Sequence, residues 1–346
     1  MPQTNDRPIV AITMGDPAGV GPEIVIKALC HDIVHECCRP LVVGDSGVLK
    51  RALKLLGVAM DLRLLSDVTQ ARFTPPEVEL LDLHNVDWSR VQPGTVGAEA
   101  GRAATEYVIK ATELALAGQV QAIATAPLNK EAMRLGGYDF IGHTEILAEL
   151  TGTPRCTTML ASGPLRVVHV TRHLPLREVA AHITTEQVLE TIEITAEGLR
   201  AWGMERPRLG VAALNPHGGD GGLIGDEEIT AIAPAVQAAQ ERGIDARGPF
   251  PADSIFVRAL HDEFDVVVAM YHDQGHIPIK VHGFEESVAV TLGLPIVRTS
   301  VDHGTAFDIA WQGVADPRSM VEAIKLAARL AVGKVEEVSS HKKRDP

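Results

Sequence analysis

FDVVVAMYHDQGH, residues 264–276, decides the fold. Val266 to Met270 is an unbroken apolar run, without the polar alternation of a half-solvated strand, so it reads as a strand buried on both faces. It hands over directly to Tyr271, His272 and Asp273. Working outward, runs of the same kind occur as IVAIT from Ile9, PLVVG from Pro40, AIATA from Ala122, LRVVHVT from Leu165, LGVAAL from Leu209 and PIVRTS from Pro295. Between them, EIVIKAL, AATEYVIKATELALAG and EQVLETIEITAEGLRAWG carry apolar residues at three- and four-residue spacing, the period of a helix with one buried face. The alternation predicts an α/β protein with a largely parallel sheet covered on both sides. At 346 residues the chain exceeds what one hydrophobic core usually holds, which predicts two lobes.

Composition narrows the function. Lys plus Arg number 32 against 45 Asp plus Glu, a net charge of −13, and 3 Trp, 3 Tyr and 7 Phe are too few for a base-stacking platform, so nucleic acid is excluded as a partner. No run approaches the ~18 apolar residues of a membrane span. The amino terminus, MPQTNDRPIVAIT, lacks the basic and apolar regions of a secretion signal. A cytoplasmic protein without membrane contact is expected. Cys30, Cys37, Cys38 and Cys156 show no metal-binding spacing and read as reduced thiols.

Three strands deliver a histidine where the chain leaves the sheet. LRVVHVTRHLPL (165–176) reaches His173 before Leu174 and Pro175, RLGVAALNPHGGDGG reaches His217, and the opening stretch reaches His272. Open α/β sheets bind ligands beyond the carboxyl ends of their strands, and parallel strands would place all three imidazoles on one edge. Three neutral imidazoles suit a borderline divalent cation such as Zn²⁺ or Co²⁺, with positions left for substrate oxygens. A loop histidine bonded to backbone is the alternative for each one alone. His169, two and four residues from Thr171 and His173 on one strand face, is either hydrogen-bonded within the sheet or part of the same site.

The first strand leads into MGDPAGVGPEIVIKAL (14–29), a glycine loop that matches neither the dinucleotide nor the P-loop pattern. AIATAPLNKEAM (122–133) has the same strand-to-loop form, with Asn129 and Lys130 at the turn. In FIGHTEILAEL (140–150), Thr144 either caps the following helix or, with His143, holds a phosphate at that helix's amino end. Lys280 and Arg298 flank apolar, glycine-punctuated segments, and a guanidinium there can grip a carboxylate or phosphate with two hydrogen bonds.

GDPAGVGPE, ATAPLNK, GHTE, NPH, YHDQGH and RTSVDHGTA, in this order, resemble the 4-hydroxythreonine-4-phosphate dehydrogenase family of vitamin B6 biosynthesis over about residues 8–332. YHDQGHIPIK and GTAFDIAW look closer to its sister branch, the 4-phospho-D-threonate and 4-phospho-D-erythronate dehydrogenases of sugar-acid catabolism. The resemblance implies a two-lobed α/β/α fold like isocitrate and isopropylmalate dehydrogenases. Its first lobe would take 1–135 and 265–346, its second 136–264, with 336–346 a frayed tail. It also implies an NAD-dependent homodimer with one divalent cation per site (Zn²⁺, Mg²⁺ or Co²⁺) and an active site shared between subunits.

The family's metal ligands fall on His173, His217 and His272, and its substrate contacts on His143, Thr144, Lys280 and Arg298. Lys280 and His143 are the candidates for proton transfer, and Asp302 and His303 for cofactor contact. The implied reaction oxidises the 3-hydroxyl of a small 4-phosphorylated hydroxy acid, with decarboxylation. One family contact, the Asn of VNITLG, is Ala289 here, which removes an amide worth about 1–3 kcal/mol to a buried polar group and leaves the choice of acid open. NADP in place of NAD also stays open. The rival readings are a metal-dependent hydrolase or aldolase, and a catalytically lapsed relative that binds a metabolite.

Overall fold

The strand–helix alternation is the architecture. The computed structural model describes residues 7–74 and 77–333. Its strands are β1 (Ile9–Thr13), β2 (Arg39–Gly44), β3 (Leu62–Leu65), β4 (Val78–Asp82), β5 (Ala122–Thr125), β6 (Thr157–Ser162), β7 (Leu165–His169), β8 (Arg208–Ala212), β9 (Asp245–Phe250), β10 (Val266–Ala269), β11 (Val288–Leu292) and β12 (Val297–Val301). The helices that matter for the site are α1 (Gly21–Leu29), α2 (Ala98–Leu116), α3 (Lys130–Leu135), α4 (His143–Thr151), α5 (His272–Gly283) and α6 (Arg318–Ala331). The seven expected strands are present. Those missed include β3 and β4, whose LRLL and VELLD carry charges that hide the apolar run. The 336–346 tail lies outside the described residues.

Two compact units divide the described chain, 7–154 with 294–332 and 155–293. The crossings fall later than the expected 135 and 264. α3 and α4 pack on α2 and so keep 130–151 in the first unit. β10 and β11 are hydrogen-bonded to β7, β8 and β6, which keeps 266–292 in the second.

In the first unit the strand order is β3-β4-β2-β1-β5-β12, parallel throughout. Ile12 sits level with Val42 on one side and Ala124 on the other, and Ile12, Leu41, Leu80 and Ile123 are fully buried in the core. Each such side chain contributes about 1.5–3 kcal/mol by leaving water. After β1 the chain steps to β2 on one side and later returns as β5 on the other. That reversal opens a crevice at the carboxyl ends of β1 and β5.

The second unit has the order β11-β6-β7-β10-β8-β9. β11, β6 and β7 pair antiparallel, whereas β7, β10, β8 and β9 are parallel. The three strands read as histidine-bearing, β7, β10 and β8, are therefore adjacent and end on one edge.

Candidate active site

At the edge of the second unit, β7 stops at His169, and the chain continues beside β10. Val170 N–H donates to the Ala269 carbonyl at 2.9 Å and Thr171 N–H to Met270 at 3.0 Å. This delivers His173 next to His272, the first residue of α5, with ring centres 5.9 Å apart. Two imidazoles sharing a cation at ~2.1 Å per nitrogen hold their ring centres ~5–6 Å apart, a range that includes the 5.9 Å of this pair. His272 Nδ1 lies 2.7 Å from Asp273 Oδ1. A carboxylate there orients the ring and leaves Nε2 for the ion.

His217 does not join them. Beyond β8, residues 217–221 run through five successive left-handed conformations (φ 53, 69, 76, 45 and 68°). The turn leaves His217 exposed, its Nδ1 3.5 Å from Asp220. Two of those residues, His217 and Asp220, lack glycine's freedom, and a strained turn of this kind persists only where its surroundings hold it. Glu228 does so: its carboxylate accepts from the backbone N–H of Leu214 (2.8 Å) and Asn215 (2.7 Å) and from the Asn215 amide (3.0 Å). The predicted three-histidine convergence is thus, within one chain, the pair His173 and His272.

Among the described residues, the one triplet of potential ligands within 4.8 Å of one another is Asp45, Asp82 and His84 in the first unit. Its carboxylates already accept from the backbone N–H groups of Ser46, Val48, His84 and Val86 at 3.0–3.1 Å, the work of helix and turn capping.

His272 has two further imidazole neighbours. His276, one turn along α5, stacks on it with ring centres 3.6 Å apart and planes at 11°. Its Nδ1 lies 3.1 Å from the His272 carbonyl and so carries the proton. His169, 3% exposed, packs 4.6 Å from His276. Burial and the neighbouring imidazoles hold His169 neutral, with a pKa of about 3. The ring hydrogen-bonds the backbone of His272, in keeping with the hydrogen-bonded alternative, while Nε2 has no hydrogen-bond partner. Gly275 makes the fit possible, since a Cβ there would lie 2.2 Å from His169 Nε2. Gln274 ties the edge together, accepting from Met270 N–H (2.7 Å) and donating to the Ala213 carbonyl (2.8 Å). Lys280 continues the His272–His276 stripe, its Nζ 3.1 Å from Ser287 Oγ. Ala289 packs its methyl on the apolar cluster around Leu160.

The first unit carries a different cluster at its β5–β12 edge. Arg298, 3% exposed on β12, donates to Thr125 Oγ1 at 2.7 Å. Burial lowers its pKa to about 9, against the opposing charge of Glu145. His143 opens α4. Burial first, then the Arg298 charge, push its pKa well below the usual value, so it is neutral, and its ring N–H bonds the Ala126 carbonyl. Nε2 is buried without a hydrogen-bond partner and, in that tautomer, offers a lone pair. His143 is therefore suited to take a hydrogen from a substrate hydroxyl rather than to attract an anion. Thr144 is not the cap of α4: Gly142 is, with no side-chain hydrogen bond, so the helix's amino end stays available to an anion.

Asp16 was missed, although an Asp flanked by glycine in a strand-to-helix turn is a signal for backbone capping. Its Oδ1 accepts from Ala18 N–H at 2.8 Å and its own N–H donates to the Pro127 carbonyl at 2.9 Å, clasping the β1 and β5 loops. Burial raises its pKa to about 6.

Asp302 and His303 follow β12. Asp302 N–H donates to Ser319 Oγ at 3.4 Å, and His303 is exposed, its ring near the Gly304 carbonyl. The next residues meet the glycine loop, Val20 N–H donating to the Thr305 carbonyl at 3.0 Å. A Cβ on Gly304 would meet nothing, so backbone at the end of β12 is open to a ligand.

An α/β enzyme with titratable clusters at the carboxyl ends of parallel strands is what these observations define, and its relatives are dehydrogenases. Residues 36–327 match the family model described as pyridoxal phosphate biosynthetic protein PdxA. The 4-hydroxythreonine-4-phosphate dehydrogenase of Desulforapulum autotrophicum is 48% identical over 94% of this chain and 96% of its own. A protein of Symbiobacterium thermophilum, provisionally named D-threonate 4-phosphate dehydrogenase, is 47% identical over 94% of this chain and 97% of its own. The crystal structure of the 4-hydroxythreonine-4-phosphate dehydrogenase from Burkholderia phymatum matches with a TM-score of 0.84 and 49% identity, over 94% of this chain and 99% of that one. The chain belongs to the PdxA family and is an oxidoreductase.

Proposed function

We propose that the protein oxidises the 3-hydroxyl of a 4-phosphorylated four-carbon hydroxy acid and releases CO₂ from the β-keto acid formed. Of the candidate acids, 4-phospho-D-threonate or 4-phospho-D-erythronate is favoured over 4-hydroxythreonine 4-phosphate, because Ala289 offers a methyl where an amide would contact an amino acid. When bound, NAD supplies the hydride acceptor and one divalent cation (Zn²⁺, Mg²⁺ or Co²⁺) the Lewis acid that favours the alkoxide and the enolate.

The observation that carries the reading is the pair His173 and His272 with Asp273 behind it. These imidazoles hold the cation through ring nitrogens that a proton would otherwise occupy, so cation and proton compete for them. Arg298 and the amino end of α4 at Thr144 bind anionic ends of the substrate. His143 Nε2 accepts from a hydroxyl, and Lys280 donates or takes up the proton at the reacting oxygen. Asp302 and His303 flank the open backbone assigned to the cofactor.

A homodimer fits the surface of the second unit. Ile277 and Val281 on α5, with Phe284 at its C-cap, form one stripe and are 57, 82 and 64% exposed, and Leu223 is exposed beside the His217 turn. A second copy covering this stripe would supply His217 to the pair left incomplete in a single chain.

NAD reduction and CO₂ release should be measured with each of the three acids, before and after chelation. Turnover of one acid, lost with chelator and restored by cation, is expected. Turnover of a phosphorylated acid without any nicotinamide would overturn the reading in favour of a hydrolase or aldolase.

A further inference from the structure

His276 is placed like a ligand but built for another task. It lies four residues after His272 on the same face of α5, a spacing that often chelates a metal. Here, however, the two rings are nearly parallel at 3.6 Å and 11°. The lone pairs of parallel rings run side by side and do not converge on one ion. The Nδ1 bond to the His272 carbonyl pins the His276 ring to the turn that carries His272. Behind it, buried His169 fills the space to β7, and Gly275 admits it. One face of the His272 imidazole is thereby walled, while Asp273 fixes its edge.

We propose that His276 is a positioning residue that holds the His272 ring in the orientation needed to bind the divalent cation. The inference rests on the metal reading above. An imidazole with a preset orientation gives up less rotational freedom when it coordinates, and lost support around metal ligands typically costs 10–100-fold in affinity.

Co²⁺ titrated into metal-stripped protein, followed by its visible absorption, tests this in the wild type and the His272→Ala, His276→Ala and His276→Phe variants. His276→Ala should weaken Co²⁺ binding about 10–100-fold, with the thermal midpoint of the metal-free protein close to that of the wild type. His276→Phe retains the stacked face and should bind within a few-fold of wild type, and it carries the test if the alanine variant does not fold. Wild-type affinity and an unchanged spectrum in His276→Ala would overturn the inference, as would an equal loss in His276→Phe. Unchanged binding in His272→Ala would overturn the metal reading itself.

Discussion

The two sheet edges solve opposite electrostatic problems. The histidine edge of the second unit gathers imidazole nitrogens, with a carboxylate at Asp273, and so suits a cation. The β5–β12 edge of the first unit buries the Arg298 guanidinium beside a neutral His143 and an uncapped helix amino end, and so suits an anion. Burial does different work in each. At His169 it keeps an imidazole uncharged. At Arg298 it leaves a cation short of solvation, which an incoming phosphate or carboxylate would supply.

The contrast can be broken most severely at its cation end. His272→Ala should lower kcat/KM for NAD reduction by about 10³-fold or more, and metal analysis of the purified variant should show little bound ion. Normal metal content would erase the distinction between the edges. At the anion end, Arg298→Ala should cost about 10²–10³-fold, chiefly through KM, since truncating a buried charged contact costs several kcal/mol. Steady-state kinetics on phosphorylated and unphosphorylated acids would show whether the loss follows the anion. Full metal retention in this variant would sharpen the division of labour.

The dimer reading adds a smaller effect. Val281→Asp should shift sedimentation toward monomer and weaken Co²⁺ binding about tenfold, because His217 would no longer reach the pair. A monomeric variant with wild-type metal affinity would confine the cation to one chain.

The smallest effect concerns stability at the β1–β5 crevice. Asp16 has a folded pKa of about 6, above its ordinary value of 3.8. At this group the folded state thus binds more protons than the unfolded one between roughly pH 4 and 6, and the contribution of Asp16 to stability falls as pH rises through that window. Asp16→Asn does not titrate and keeps the acceptor for Ala18 N–H. Relative to wild type at pH 4, it should gain about 2 kcal/mol above pH 7, as read by urea unfolding at the two pH values.

Legibility followed the length scale of each signal. Val266–Met270 and Ile9–Thr13 announced buried strands because both faces of a parallel strand are apolar, whereas Leu62–Leu65 and Val78–Asp82 mix in charges and escaped notice. His173 and His272 were identified from strand ends alone, and their juxtaposition followed from β7 and β10 being neighbours. His217 looked equivalent on the page. Its separation arises from left-handed geometry at 217–221, which composition suggests through glycine but cannot aim. His276 stood in a quoted motif, but only the turn of α5 shows that it faces His272.

The alternating α/β plan, the family, and which residue types stand where strands end are all written in the chain, because hydrophobic period and local turn chemistry are encoded over a few neighbouring positions. Tertiary structure alone decided which imidazoles meet, that His143 is neutral, and that Arg298 is buried. Those properties depend on distances between residues far apart in the sequence, and on the solvent that packing removes from around them.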